Sequence, residues 1–249
     1  MPLLGLIGNP IGHSRSPEIF AGFFRHEGLT DWNYELFPLT DIAELPALIE
    51  KQPNLRGLNV TIPFKTSIIP LLDNISAEAE EIGAVNTVKI IYQNGKIILS
   101  GLNTDVYGFE KLLHNSGAQK TDAALVLGSG GAAKAVCYVL RSKKIPYQLV
   151  SRNPQTGELG YNDLTETIIA SHSLIINTTP LGMHPRTAEY PPIPFDFIDS
   201  KHTVIDLIYN PETTELMQKA MKQGATAFNG LLMLQKQAEK AWEIFKKEK

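Results

Sequence analysis

The sequence predicts an α/β protein built as two α/β domains. Three observations carry that expectation. Short apolar runs alternate with helical patterns along the chain, a glycine-rich turn joins a strand pattern to a helix pattern near its middle, and 249 residues suffice for two modest domains. No repeat with a period of about 20 to 50 residues and no low-complexity tract interrupts the alternation.

The elements follow in order. Residues 3–7 form a continuous apolar run and read as a first, buried strand. A polar loop leads into a helix in which Ser16 caps the start, Pro17 takes the first position and Gly28 follows the end. Its apolar residues Ile19, Phe20, Phe23 and Phe24 fall on one stripe. Over residues 55–65 the pattern alternates, with Leu58, Val60 and Ile62 pointing one way and Asn59 and Thr61 the other. Pro63 ends that strand two residues before Lys65.

Residues 85–92 and 96–102 flank Gln93-Asn94-Gly95, a hairpin signal because Asn-Gly tolerates positive φ. Asn103-Thr104-Asp105 then turns the chain into a helix closed by Gly117. From Ala123 the order becomes strand (123–127), glycine turn, helix to about Ser142 and strand (147–150), with further strands over 174–176 and 203–207. Five prolines between Pro180 and Pro194 exclude regular structure there. An amphipathic helix over 231–247 ends the chain. These changes of style place a domain boundary near residue 104 and return the last helix to the first domain.

Composition excludes several function classes. Lysine and arginine total 23 and aspartate and glutamate 26, a net charge of −3, so no basic excess points to nucleic acid. The single cysteine, Cys137, excludes an internal disulfide framework and a cysteine-rich zinc module, and no metal site is expected. The apolar start lacks a basic leader, and no run of about 18 uncharged apolar residues occurs, so a soluble cytoplasmic protein is expected.

Gly128-Ser129-Gly130-Gly131-Ala132-Ala133 is a Gly-x-Gly-x-x-Ala turn. Its first glycine permits a tight turn, its second lets a pyrophosphate approach the backbone, and the free N–H groups of the helix start bind the anion. About 20 positions on, where dinucleotide-binding folds read the ribose, stand Ser151, Arg152 and Asn153. An acidic residue there would favour NAD; Arg152 can bond a 2′-phosphate and favours NADP.

In the first domain Ser14 and Ser16 set two hydroxyls at the positive end of a helix, an arrangement that can hold a small carboxylate. Three further polar segments, Asn59 to Lys65, Gly83 to Thr87 and Asn103 to Asp105, lie at strand ends, where a polyhydroxylated ligand needs donors and acceptors.

Together the strings GNPIGHSRSP, NVTIPFK, GAVNT, NTD, GSGGAAKA, NTTPLGM, DLIYNP and NGLLMLQKQA, in this order, resemble the shikimate dehydrogenase family over nearly the whole chain. The resemblance implies an N-terminal substrate-binding domain (1–103), a Rossmann-like NADP-binding domain (104–228) and a C-terminal helix (229–249) returning to the first. It implies reversible NADPH-dependent reduction of 3-dehydroshikimate to shikimate, a step of chorismate and aromatic amino acid biosynthesis. Lys65 and Asp105 correspond to the catalytic pair. Ser14 and Ser16 match the residues that hold the substrate carboxylate, with Thr61, Asn86, Gln237 and Tyr209 as further contacts and Asn59 nearby. Gly128, Ser129, Gly130, Gly131 and Ala132, then Ser151, Arg152 and Asn153, match cofactor contacts, with Leu207 and Gly230 at the nicotinamide end. Partners would be small molecules, with neither nucleic acid nor membrane, and the family occurs as monomers and homodimers.

Three departures stand out. Phe20 replaces a residue commonly polar in the family, which should alter packing beneath the serine loop. Arg152 is followed by Asn153-Pro154-Gln155-Thr156 with no second basic residue, which should weaken the preference for NADP. Only 23 residues separate Asn153 from Asn177, so a helix on the adenine side should be shortened or missing. Two other readings stay open at this stage: a quinate/shikimate dehydrogenase with relaxed NAD/NADP choice, and a ligand-sensing paralogue without turnover, against which the presence of both Lys65 and Asp105 argues.

Overall fold

The computed structural model describes residues 1–247. The chain divides into two compact units, Met1–Thr104 with Gln235–Lys249, and Asp105–Leu234.

The first unit runs β1 (Leu3–Gly8), α1 (Ser16–His26), β2 (Asn33–Pro38), α2 (Leu45–Lys51), β3 (Leu55–Val60), α3 (Phe64–Ser67), β4 (Asn74–Ile75), α4 (Ala77–Ile82), β5 (Thr87–Gln93) and β6 (Lys96–Leu102). Its sheet has the order β2-β1-β3-β5-β6-β4. The β1 strand is parallel to β2 and β3, whereas β5 is antiparallel to β3 and to β6, with Asn59 opposite Thr87 and Thr87 opposite Leu102. The carboxyl ends of β1, β3 and β6 and the amino end of β5 therefore meet at one edge of the sheet. One face packs Ile7, Leu58, Val60, Phe64 and Val88 into a core.

The second unit runs α5 (Asp105–Asn115), β7 (Ala124–Leu127), α6 (Gly131–Ser142), β8 (Tyr147–Ser151), β9 (Leu159–Gly160), α7 (Glu166–Ala170), β10 (Leu174–Asn177), β11 (Thr203–Asp206), α8 (Glu215–Lys222) and β12 (Thr226–Asn229), and includes the first turn of α9 (Leu231–Phe245). All neighbours in its sheet, order β12-β11-β10-β7-β8-β9, are parallel. The strand order reverses between β7 and β10, which makes this a doubly wound sheet with its switch point at the carboxyl ends of those two strands. Between β8 and β10 the chain forms only the two-residue β9, a single 3₁₀ turn and the five-residue α7, so the helix on that side is indeed short.

The later turns of α9 belong to the first unit. Ala238, Ala241, Trp242 and Phe245 close a second core with Leu4, Leu6, Phe20, Phe24 and Tyr34 on the other face of the sheet. That is why β3 is buried on both faces rather than half exposed. Phe245 lies so close to β3 that a Cβ on Gly57 would stand 2.3 Å from its ring. No helix of the described residues is long and apolar enough to cross a membrane.

Two local expectations need correction. Ser16 is not the cap of α1 but its first residue; the cap position is Arg15, without a side-chain capping bond. The Ser16 hydroxyl is engaged elsewhere, and Ser14 Oγ accepts the Ser16 N–H instead. Ile62 does not join Leu58 and Val60 in the core: β3 ends at Val60, and Ile62 is 48% exposed beside Pro63.

Candidate functional site

In the first unit the expected substrate residues gather at the sheet edge where β1, β3, β5 and β6 meet. Ser14 Oγ donates to Ser16 Oγ at 3.2 Å, and the Ser14 backbone N–H is held by Ile11 O at 2.9 Å. Thr61 leaves the end of β3 with its N–H on Ile7 O at 2.9 Å. Its methyl lies over Gly8, where a Cβ would stand 2.4 Å away, so glycine at position 8 is what admits Thr61. Lys65, half-buried in α3, is fixed through its backbone: its carbonyl accepts the Val85 N–H at 2.7 Å, next to Asn86.

Asn86 is the hub of this edge and is buried. Its Oδ1 accepts the Thr104 N–H at 2.7 Å, and its Nδ2 donates to Gln237 Oε1 on α9 at 2.7 Å and to Thr104 Oγ1 at 3.0 Å. A backbone N–H only donates, so the Thr104 contact determines which end of the Asn86 amide faces it. The order propagates from there. Thr87 Oγ1 donates to Asn86 Oδ1 at 3.0 Å and accepts from Asn59 Nδ2 at 3.4 Å. Asn59 Oδ1 then faces Tyr34, whose hydroxyl donates to it at 2.9 Å and is itself bonded by the Ser16 side chain. The result is one directional chain of donors from Ser14 through Ser16, Tyr34, Asn59, Thr87 and Asn86 to Gln237.

Tyr34, Thr87 and Thr104 were not singled out from sequence, although Thr87 and Thr104 lie inside the quoted GAVNT and NTD strings. Tyr34 has no such signal. It lies on β2 with its ring stacked on Phe20 at 4.4 Å between centroids, the residue noted as unusual. Burial pushes its hydroxyl far above the ordinary phenol range, so it keeps its proton and remains a donor.

In the second unit the expected cofactor residues follow the carboxyl ends of the parallel strands, and Asp105 stands at the start of α5. Asp105 begins α5, where a carboxylate is favoured by the helix N-terminus, and is buried. Gly128 leaves β7 at φ +106°, and a Cβ there would stand 2.7 Å from Thr178 Oγ1. Gly130 takes the cap position of α6 with no side-chain capping bond, and open space stands where its Cβ would be. The first N–H groups of this twelve-residue helix thus meet the requirement for a pyrophosphate site at the switch point. Ser151 ends β8 with its Oγ accepting the Asn153 N–H at 3.3 Å, and Arg152 and Asn153 are exposed beyond it. The residues present therefore fit a phosphorylated dinucleotide.

Leu207 and Tyr209 follow β11. The Leu207 N–H bonds Asn177 O at 3.0 Å, and the Gly230 N–H bonds Ile208 O at 3.0 Å. A Cβ on Gly230 would stand 2.0 Å from Leu207 O, so only glycine lets these two segments meet. Beneath them Asp206, fully buried, accepts from Asn177 Nδ2 at 3.0 Å, Ile208 N at 3.1 Å and Thr214 Oγ1 at 2.6 Å. Burial raises its carboxyl to about 6, against the lowering effect of those three bonds. Among the described residues no group of three His, Cys, Asp or Glu side chains is arranged to hold a metal.

Residues 6–88 match the profile of the shikimate dehydrogenase substrate binding domain. The NADP(+) shikimate dehydrogenase of Methanosphaera stadtmanae is 38% identical over 98% of this chain and 90% of its own. The crystal structure of shikimate dehydrogenase from Aquifex aeolicus superposes with a TM-score of 0.86 at 36% identity, covering 99% of this chain and 92% of that one. The Thermus thermophilus enzyme in complex with NADP(H) and shikimate gives 0.85 at 30% identity, covering 99% and 94%.

Proposed function

The chain belongs to the shikimate dehydrogenase family, and on that premise we propose how its own residues carry the reaction, the reversible NADP-dependent interconversion of 3-dehydroshikimate and shikimate. The observation that carries the reading is the directional polar chain from Ser14 to Gln237, drawn to the sheet edge where Lys65 is fixed through Val85.

The substrate is a small anion with several hydroxyls. Ser14 and Ser16 lie beside the start of α1, whose positive end favours a carboxylate, and their hydroxyls turn to it on binding from the internal bonds they otherwise make. Thr61, Asn86 and Gln237, with Asn59 behind them, take the ring hydroxyls, and Tyr209 is a further substrate contact. Gly128, Ser129, Gly130, Gly131 and Ala132 hold the cofactor pyrophosphate, Ser151, Arg152 and Asn153 its adenosine phosphate end, and Leu207 and Gly230 the nicotinamide end. When bound, NADPH supplies the hydride for the ketone carbon. The remaining requirement is a proton at the carbonyl oxygen, and Lys65 as an ammonium donates it while stabilising the developing negative charge. In the opposite direction the neutral amine of Lys65 accepts the hydroxyl proton. Asp105 orients the lysine and binds a neighbouring substrate hydroxyl. The reaction needs only small molecules, which a monomer or a homodimer serves equally, and we assign it to the cytoplasm as a biosynthetic step.

Two variants test the assignments. Lys65→Ala is expected to lower kcat by about 10²- to 10⁴-fold, the usual worth of a general acid, with NADP affinity nearly unchanged. Unaltered turnover in that variant removes Lys65 from the mechanism. Arg152→Ala is expected to raise KM for NADPH by about tenfold, the loss of one charge-assisted contact, with little change for NADH. An equal loss with both cofactors refutes the 2′-phosphate role. Assays with shikimate and quinate, each against NADP and NAD, separate this reading from a quinate-preferring one.

A further inference from the structure

We propose that Asp206 is a positioning residue for segment 207–209, its carboxylate gathering donors from the end of β10 and from both ends of the β11–α8 connection so that the backbone carrying Leu207 and Tyr209 takes one conformation. The inference rests on the placement of those two residues in the site given above.

The geometry is specific. Asp206 Oδ1 accepts the Ile208 N–H, which lies inside the segment, and Asn177 Nδ2 from the end of β10. Asn177 Oδ1 in turn holds Thr179 through its backbone N–H at 2.9 Å and its hydroxyl at 2.7 Å, securing the loop that lies against Gly128. Asp206 Oδ2 accepts the Thr214 hydroxyl, and Thr214 Oγ1 caps α8 through the Met217 N–H at 3.3 Å. The Ile208 and Asn177 N–H groups only donate, and both use Oδ1, while Oδ2 meets the Thr214 hydroxyl; ionisation makes all three bonds charge-assisted. An asparagine, or a protonated aspartic acid, keeps the two N–H bonds on a neutral oxygen and reverses the Thr214 contact, so that the segment is held more weakly.

Keeping an ionised carboxylate fully buried is unfavourable, and a structural anchor alone does not demand it. Its shift has burial and these three hydrogen bonds as causes, with no charged group of α8, β10 or β12 contributing. The state of Asp206 therefore changes within the range in which enzyme assays are run, and the fixity of segment 207–209 changes with it.

The test is the pH dependence of KM for NADPH and for 3-dehydroshikimate between pH 5 and 8. In the parent enzyme both KM values should rise as pH falls through about 6. Asp206→Asn should show the raised values, by about tenfold as bonds to a charged acceptor become bonds to a neutral one, at every pH, with that rise on acidification absent. Thr214→Val removes a donor that favours the ionised form, so its rise should begin at higher pH. A general structural defect would lower the amount of active enzyme without moving these profiles. Parent-like KM values in Asp206→Asn, or the same acid rise retained, overturn the proposal. Tyr209→Phe is measured alongside: an unchanged KM for shikimate there removes Tyr209 from the site and leaves the Asp206 result to be judged on NADPH.

Discussion

At the scale of single residues, the site depends on hydrogen bonds whose direction is decided one step away. The Thr104 N–H orients Asn86, and the order then passes through Thr87 and Asn59 to Tyr34 and Ser16. Tyr34 links the serine loop to β3, and Phe20 holds its ring. Tyr34→Phe keeps the stacked ring and removes the hydroxyl, leaving the buried Asn59 Oδ1 without its donor. The expected cost is about 1–3 kcal/mol of folding stability, the penalty for an unsatisfied buried polar group. Urea denaturation of the two proteins measures it, and equal midpoints would show that the amide finds another partner. The motif residues were legible because each stands at a strand end in a short polar string. Tyr34 was not, because its role arises from a contact with Asn59, 25 positions away. Ser16 was misread for a related reason: its residue type suits a cap, but tertiary partners claim its hydroxyl.

At the scale of elements, much of the long-range architecture was readable, and two of the missed strands share a cause. The buried strands β1, β7 and β10, the β5–β6 hairpin, helices α1 and α6 and the amphipathic α9 all follow from hydrophobic period and turn chemistry. The strands β2 and β12 did not stand out. Both are edge strands in their sheets, paired on one side only, and the alternation that marks a half-buried strand is blurred in Asn33–Pro38 and Thr226–Asn229. The return of α9 was expected, but not the exactness of fit at Gly57, which only coordinates reveal. Gly57→Ala would drive a methyl into the Phe245 ring, and overpacking of this kind costs about 1–3 kcal/mol. The double variant with Phe245→Leu should recover part of that loss. Additive losses in the double variant would mean that the glycine serves β3 itself rather than the docking of α9.

At the scale of the whole molecule, the same buried carboxylate that positions segment 207–209 should leave its mark on global stability, with a sign that can be worked out. The Asp206 carboxyl titrates near 3.8 in the ordinary exposed state and near 6 in the folded protein. Between those values the native state holds a proton that the unfolded chain has released, so this group's contribution falls as pH rises through the window. Above pH 6 the full difference, about 3 kcal/mol, is set against folding. Asp206→Asn carries no such titration. Its stability relative to the parent should therefore increase by about 2 kcal/mol from pH 4 to pH 7, whatever constant loss comes from the altered bond to Thr214. Urea titrations of both proteins across this range provide the measurement. A difference that stays flat with pH would mean that Asp206 is already ionised at the acid end and costs the fold nothing. The expected pairing, a variant relatively more stable at neutral pH yet poorer in KM, is what separates a residue retained for the site from one retained for the fold, since a structural anchor would lose both together.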